Sequence, residues 1–274
     1  MKNLESKFDY IKRKNRFLLL QFFLFMLEAC QSPSKPDYYF KIIPETTART
    51  PTSPLLFSHF IEIGFGYQVP PLMSERFFNR SFEKIPPYNG KSKNSLVLGT
   101  LYCGLKAVGY LMHWQRKGEI VDFVNFNNLS NTHGQVVIET PKEGAYLTAP
   151  GKVYELLSRI PVRWPLVIEK YKAKRNDIIQ GQAAYSLNKD TLVIYALNRS
   201  DTAKTMEFDF SLLGKNFSIM NISMLDADNI FARNKIDKPN EIKRTDWVEK
   251  INKNHIRLQS PARSFIQAIL TTNE

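Results

Sequence analysis

From Pro161 to the C-terminus the chain is cut into short apolar runs of strand length, and this regularity constrains the fold most tightly. The runs are Leu166–Tyr171, Gln182–Leu187, Thr191–Leu197, Thr205–Phe210, Phe217–Ser223, Ile256–Leu258 and Ser264–Leu270. Turn-forming residues separate them, and Asn188-Lys189-Asp190 reads as a hairpin turn between two neighbours. Several short strands with turn signals between them specify a β-sandwich.

The chain upstream has a different texture. Residues 30–53 are rich in Pro, Ser and Thr and read as linker, with one strand near Tyr38–Ile43. Leu55–Ile63 has strand length, and the prolines and glycines between Gly64 and Asn94 place loops around a short helix at Leu72–Phe78. A helix is expected over Ser95–Arg116, because Leu98, Leu101, Leu105, Val108 and Met112 recur at three- and four-residue spacing. Asn94 or Ser95 would cap it and Gly118 would stop it. Ile120–Phe126 reads as a buried strand, and Pro150 opens a second helix running to about Arg159. The expected fold class is α+β: a jelly-roll-like sandwich over 161–274 carrying an α/β segment over 54–160.

The N-terminus points to an address. Lys12-Arg13-Lys14-Asn15-Arg16 is a positive n-region, and Phe17–Leu27 is an apolar run of signal length, too short to span a bilayer. Leu27-Glu28-Ala29-Cys30 then resembles the lipobox of bacterial lipoproteins, with Glu28 a departure from the small or uncharged residue usual there. That resemblance implies a signal peptide over 1–29, lipidation of Cys30 and a membrane-anchored place in the bacterial cell envelope. An ordinary cleaved signal or a short buried helix are the other readings of the segment. Beyond Cys30 only Cys103 is left, so the mature chain has no internal disulfide.

Ser58-His59-Phe60-Ile61-Glu62 and Asn79-Arg80-Ser81-Phe82-Glu83 resemble the opening of the glycoside hydrolase family 51 α-L-arabinofuranosidases. Leu96–Trp114, Glu119–Leu129 and Gly144-Ala145-Tyr146-Leu147-Thr148 resemble that family's last barrel elements, although Ala149 intervenes before Pro150. Ala227-Asp228-Asn229 with Asn234 and Pro239, then Pro261-Ala262-Arg263-Ser264-Phe265, resemble its C-terminal sandwich. The resemblance implies a (β/α)8 barrel with two catalytic glutamates on its fourth and seventh strands. A retaining glycosidase needs those carboxyl groups about 5–5.5 Å apart. Such a barrel takes roughly 200–250 residues, whereas the span 54–160 is about half as long. The barrel's middle therefore has no counterpart, and no catalytic residue is assigned. The resemblance implies substrate-binding roles for Glu62, Asn128 and Asn131, with Asn128 standing where the family often has glutamine.

Other chemistries find less support. The four histidines lack metal-ligand spacing, so no metal or other cofactor is expected. His113-Trp114 ends an apolar helix and reads as packing. Residues 1–16 supply +4 of the formal charge of +12, leaving no dense basic stripe of the kind nucleic acid requires. Three functions stay open: a family-like hydrolase, a lipid-anchored binder of arabinose-containing polysaccharide, and a decayed or internally deleted product. A segment with open strand edges would pack onto the sandwich, self-associate or remain unordered.

Overall fold

The run Thr191–Asn198 (TLVIYALN) shows how the molecule is layered. Its even-numbered residues Leu192, Ile194 and Ala196 point into one core, and Val193, Tyr195 and Leu197 point into another. A strand apolar at every position is one buried on both faces. The computed structural model describes residues 35–53, 99–121, 124, 137–171, 178–251 and 254–272, and from Asp37 onward the chain forms one compact unit.

The strands are β1 (Tyr38–Thr46), β2 (Ile138–Glu139), β3 (Tyr146–Leu147), β4 (Val162–Tyr171), β5 (Ile179–Ser186), β6 (Thr191–Asn198), β7 (Lys204–Asp209), β8 (Phe217–Asp226), β9 (Lys243–Lys250), β10 (His255–Ser260) and β11 (Ser264–Thr272). The α-helices among the described residues are α1 (Leu101–Gln115) and α2 (Ala149–Ser158). Nine strands form one curled sheet in the order β10-β7-β1-β4-β5-β6-β11-β8-β9, while β2 and β3 pair separately. The curl folds the sheet into two layers. Phe40 and Phe208 from one layer share a core with Ile194, Ile222 and Ile266 from the other. Phe40 and Phe208 stack with centroids 4.8 Å apart. The sandwich expected after Pro161 is present.

Three expectations are corrected. The strand expected near Tyr38–Ile43 is present as β1, but it belongs to no linker: it lies between β7 (parallel) and β4 (antiparallel) in the first layer. Phe40 and Ile42 are buried within it, so this segment is core. Helix α1 starts at Leu101 because Gly99 takes φ +70°, a left-handed value that a helix cannot continue through. Asn94 and Ser95 lie outside the described residues. No strand covers Ile120, Val121 or Val124: Lys117–Ile120 form turns and Ile120 is 77% exposed.

The helices cover the outer face of β6 and β11. Leu105, Val108, Leu111 and Met112 of α1 and Val153, Leu156 and Leu157 of α2 pack on Val193, Tyr195, Leu197 and Phe265. Their ends are fixed differently. The Thr148 hydroxyl accepts from the Gly151 amide at 3.2 Å, capping α2, and Pro150 occupies its first turn. No side chain caps α1; its first amides, Leu101 and Tyr102, donate to the carbonyls of Ala232 (3.0 Å) and Ile230 (2.9 Å) in the β8–β9 connection. That connection is anchored in turn by buried Asn234, which donates to the Leu147 carbonyl at 2.8 Å and accepts from the Ile242 amide at 2.9 Å. Gly151 is required by close approach, since a Cβ there would collide with the Val137 carbonyl oxygen.

Candidate functional site

A cleft opens where β4 leaves β5. Their last pair is Pro165 with Ala184; beyond it Leu166–Tyr171 run beside β1, while β5 continues back to Ile179 paired only with β6. Pro165 marks the parting, because proline has no N–H to extend a ladder. The edge of β5 over Ile179–Gln182 therefore faces no strand among the described residues. Lys170 bridges the slot. Its ammonium donates to the Ile179 carbonyl at 2.7 Å and sits over the rings of Tyr38 (5.3 Å) and Phe40 (5.9 Å).

Helix α1 supplies the other wall. Lys106, Gly109, Tyr110, His113 and Arg116 recur at helical spacing beside the buried stripe and line a cavity of about 760 Å³. Gly109 keeps this wall low. A Cβ at that position would meet Arg199 Nη1 and Gln180 Nε2, each at 3.8 Å, so both donors reach the cavity floor. His113 is exposed and half-buried Trp114 meets it edge-on at 5.3 Å, so the pair lines the cleft instead of packing in the core.

The electrostatics are one-sided. Lys106, Arg116, Lys170 and Arg199 line the cavity, and no Asp or Glu is among its described lining residues. Burial pushes the Arg116 guanidinium below its ordinary value. Its Nη1 donates to Gln182 Oε1 at 2.7 Å, and the Gln182 amide donates to Gln115 Oε1. Both glutamines are 1% exposed, so the guanidinium is held in place from beneath. A cleft of this kind attracts anions and offers aromatic edges. No pair of carboxyl groups for acid–base or nucleophilic work is found among its described lining residues.

Glu62, Asn128, Asn131 and Cys30, the residues marked by resemblance, all lie outside the described residues, as does Glu83. The cleft residues had no motif in the sequence. The available signal was the second stripe on α1, from Lys106 to Arg116, on a helix whose apolar stripe already accounts for its packing. Among the described residues no group of three or more His, Cys, Asp or Glu could hold a metal, and no helix is long and apolar enough to cross a membrane.

No family model and no curated protein sequence matches the chain. Solved structures do match its fold. The α-L-arabinofuranosidase of Thermotoga maritima in complex with arabinose aligns over 63% of this chain at TM-score 0.56 and 19% identity. The family 51 arabinofuranosidase of Xanthomonas axonopodis pv. citri aligns over 63% at TM-score 0.55 and 16% identity. That of Thermotoga petrophila aligns over 62% at TM-score 0.54 and 20% identity. The chain spans under two fifths of the length of these enzymes, 36–38%. The fold is thus that of family 51 arabinofuranosidases, with the chain covering only part of theirs.

Proposed function

We propose that this chain is a non-hydrolytic sugar-binding protein built on an arabinofuranosidase-like scaffold and tethered to a bacterial cell envelope through lipidated Cys30. Its partner is an arabinose-containing oligosaccharide or polysaccharide, the sugar class suggested by the structural neighbours. One observation carries the reading: β1 pairs with β4 in a single sheet. Any barrel must then fit between Thr46 and Val162, irrespective of where the chain begins or ends. That interval is about 115 residues, and a (β/α)8 barrel takes roughly 200–250. Two glutamates on strands of a closed barrel have nowhere to stand.

A decayed product would carry a loosely packed helical segment. Against that reading, Leu101, Leu105, Val108, Leu111 and Met112 are each no more than 2% exposed. Calorimetric titration of the full chain in mild detergent with arabino-oligosaccharides, followed by analysis of the sugar, tests the proposal. The expected result is saturable binding with no arabinose released. Release of arabinose by pure protein, or no heat with any oligosaccharide, contradicts it. Labelled palmitate fed to expressing cells should appear on the wild-type chain and not on Cys30→Ala; an unlabelled wild-type chain removes the anchor from the account.

A further inference from the structure

We propose that β9 is a docking edge for a second copy of this chain, the two copies pairing their β9 strands antiparallel about a twofold axis at Thr245. Strand β9 stands at one end of the sheet order and pairs with β8 from Lys243 to Lys250 without a register shift. It holds no proline and no glycine. Proline and bulges are among the means by which a sheet edge is kept from pairing further, and charged side chains are another. The charges of β9 are of both signs, so they select a partner instead of repelling every strand.

The register with β8 fixes which groups face outward. The Ile251 amide donates to the Ser218 carbonyl at 3.0 Å, and alternation from there turns the backbone groups of Lys243, Thr245, Trp247 and Glu249 toward β8. Those of Arg244, Asp246 and Val248 therefore point away from the sheet, with no strand beside them among the described residues. Val248, on this edge, is 64% exposed. An antiparallel copy must meet these outward groups with its own, so only every second register is open to it.

With Thr245 on the axis, Arg244 of each copy stands opposite Asp246 of the other, and each such pair exchanges backbone hydrogen bonds. Lys243 faces Trp247 across the seam, an ammonium against an aromatic ring, and Thr245 faces its own copy. Opposite charges and threonine pairs are favourable cross-strand neighbours. The next register sets Asp246 opposite Asp246 and loses that match. Within one copy the Arg244 and Asp246 side chains already join at 2.9 Å and reach Glu155 and Arg159, so the seam links two ready-made ion networks. The ladder ends at Val248. Opposite it stands Ile242, whose amide and carbonyl are held by Asn234 and Lys152. A twofold seam of this kind is self-complementary and closes as a dimer.

Cysteine cross-linking of the full chain in mild detergent tests the seam. Facing residues between ladder bonds lie about 4.5 Å apart at Cα, within disulfide reach. Thr245→Cys should therefore form a disulfide dimer under mild oxidation, over the background of wild type with its Cys103. Val248→Cys is also exposed, but the two copies of that position stand about 20 Å apart along the seam and should stay unlinked. Thr245→Glu places two like charges on the axis and should weaken dimerisation roughly tenfold in sedimentation, as should Thr245→Lys. Mixing the two variants should restore it. Thr245 is exposed, so both variants should keep the wild-type melting temperature. A wild-type chain that stays monomeric at the highest concentration reached overturns the proposal. So does cross-linking at Val248 as readily as at Thr245, or a dimer indifferent to Thr245→Glu, which is what lipid tails sharing a micelle would give.

Discussion

The sandwich and the two helices on its outer face are stabilised by different means. Within the sandwich, β6 finds hydrogen-bond partners on both edges and apolar cover on both faces, and β10 and β9 stand at the ends of the sheet order. The helices depend on that structure. The first amides of α1 are satisfied by the carbonyls of Ala232 and Ile230, and Lys152 of α2 donates to the Ile242 carbonyl at 3.0 Å. The sandwich supplies the helices' apolar cover and the acceptors for the first amides of α1, while Thr148 caps α2 locally. The comparison leads to the expectation that the sandwich holds together without the helices, whereas the helices need the sandwich.

The comparison breaks most readily at α2. Leu156 is fully buried where α2 meets the sheet. Leu156→Ala should cost about 2–5 kcal/mol in chemical denaturation, the range for buried leucine truncations. If the sandwich is the independent unit, a far-UV signal for strands should persist at denaturant concentrations where the helical signal has gone. One coincident transition for both would show that the layers fold as one. Asn234 sharpens the same point from the sandwich side. Asn234→Ala removes the groups that hold Leu147 and Ile242, and should cost about 1–3 kcal/mol as buried backbone groups lose their partners. Amide exchange should accelerate first at the start of α1, since the connection that Asn234 anchors also caps that helix.

The smallest effect concerns pH. Partial burial works to raise the Asp246 carboxyl, but hydrogen bonds from Ser223 and Arg244 and the charge of Arg244 outweigh it and hold the group below the usual carboxylate range. A depressed folded-state value means the contribution is present above the unfolded value of about 4. It is lost as pH falls through the folded value. Asp246→Asn should therefore narrow the difference in melting temperature between pH 6 and pH 3, with wild type steeper. The group is half exposed, so the change is small. An identical pH slope in the two proteins removes the pair from the account.

Most of the sandwich was legible because its strands are apolar runs punctuated by turns: β5, β6, β8 and β11 fall where the sequence places them, and Lys189 takes the left-handed turn conformation (φ 60°) between β5 and β6. Strand β9 was not legible. It pairs only with β8 at the sheet edge, and Lys243, Arg244, Thr245, Asp246 and Glu249 give it no apolar alternation. The sequence suggested a strand near β1 but not its membership of the sandwich, because partners more than a hundred residues away leave no local mark. The start of α1 was misplaced because its apolar spacing runs on past Gly99, and backbone conformation overrides periodicity there. The cleft was not legible either. It arises from the parting of two strands at Pro165, a tertiary event to which no single motif corresponds.

The proposal that the roughly 115 residues between β1 and β4 are too few for a catalytic barrel of about 200–250 is tested most directly by one assay. The full chain in mild detergent, shown to melt cooperatively, is incubated at high concentration with a chromogenic α-L-arabinofuranoside. The account predicts no release of chromophore above that of buffer. Turnover that follows the protein through successive purification steps, and is lost in Glu62→Gln, would mean that a working site exists in this chain and would contradict the account.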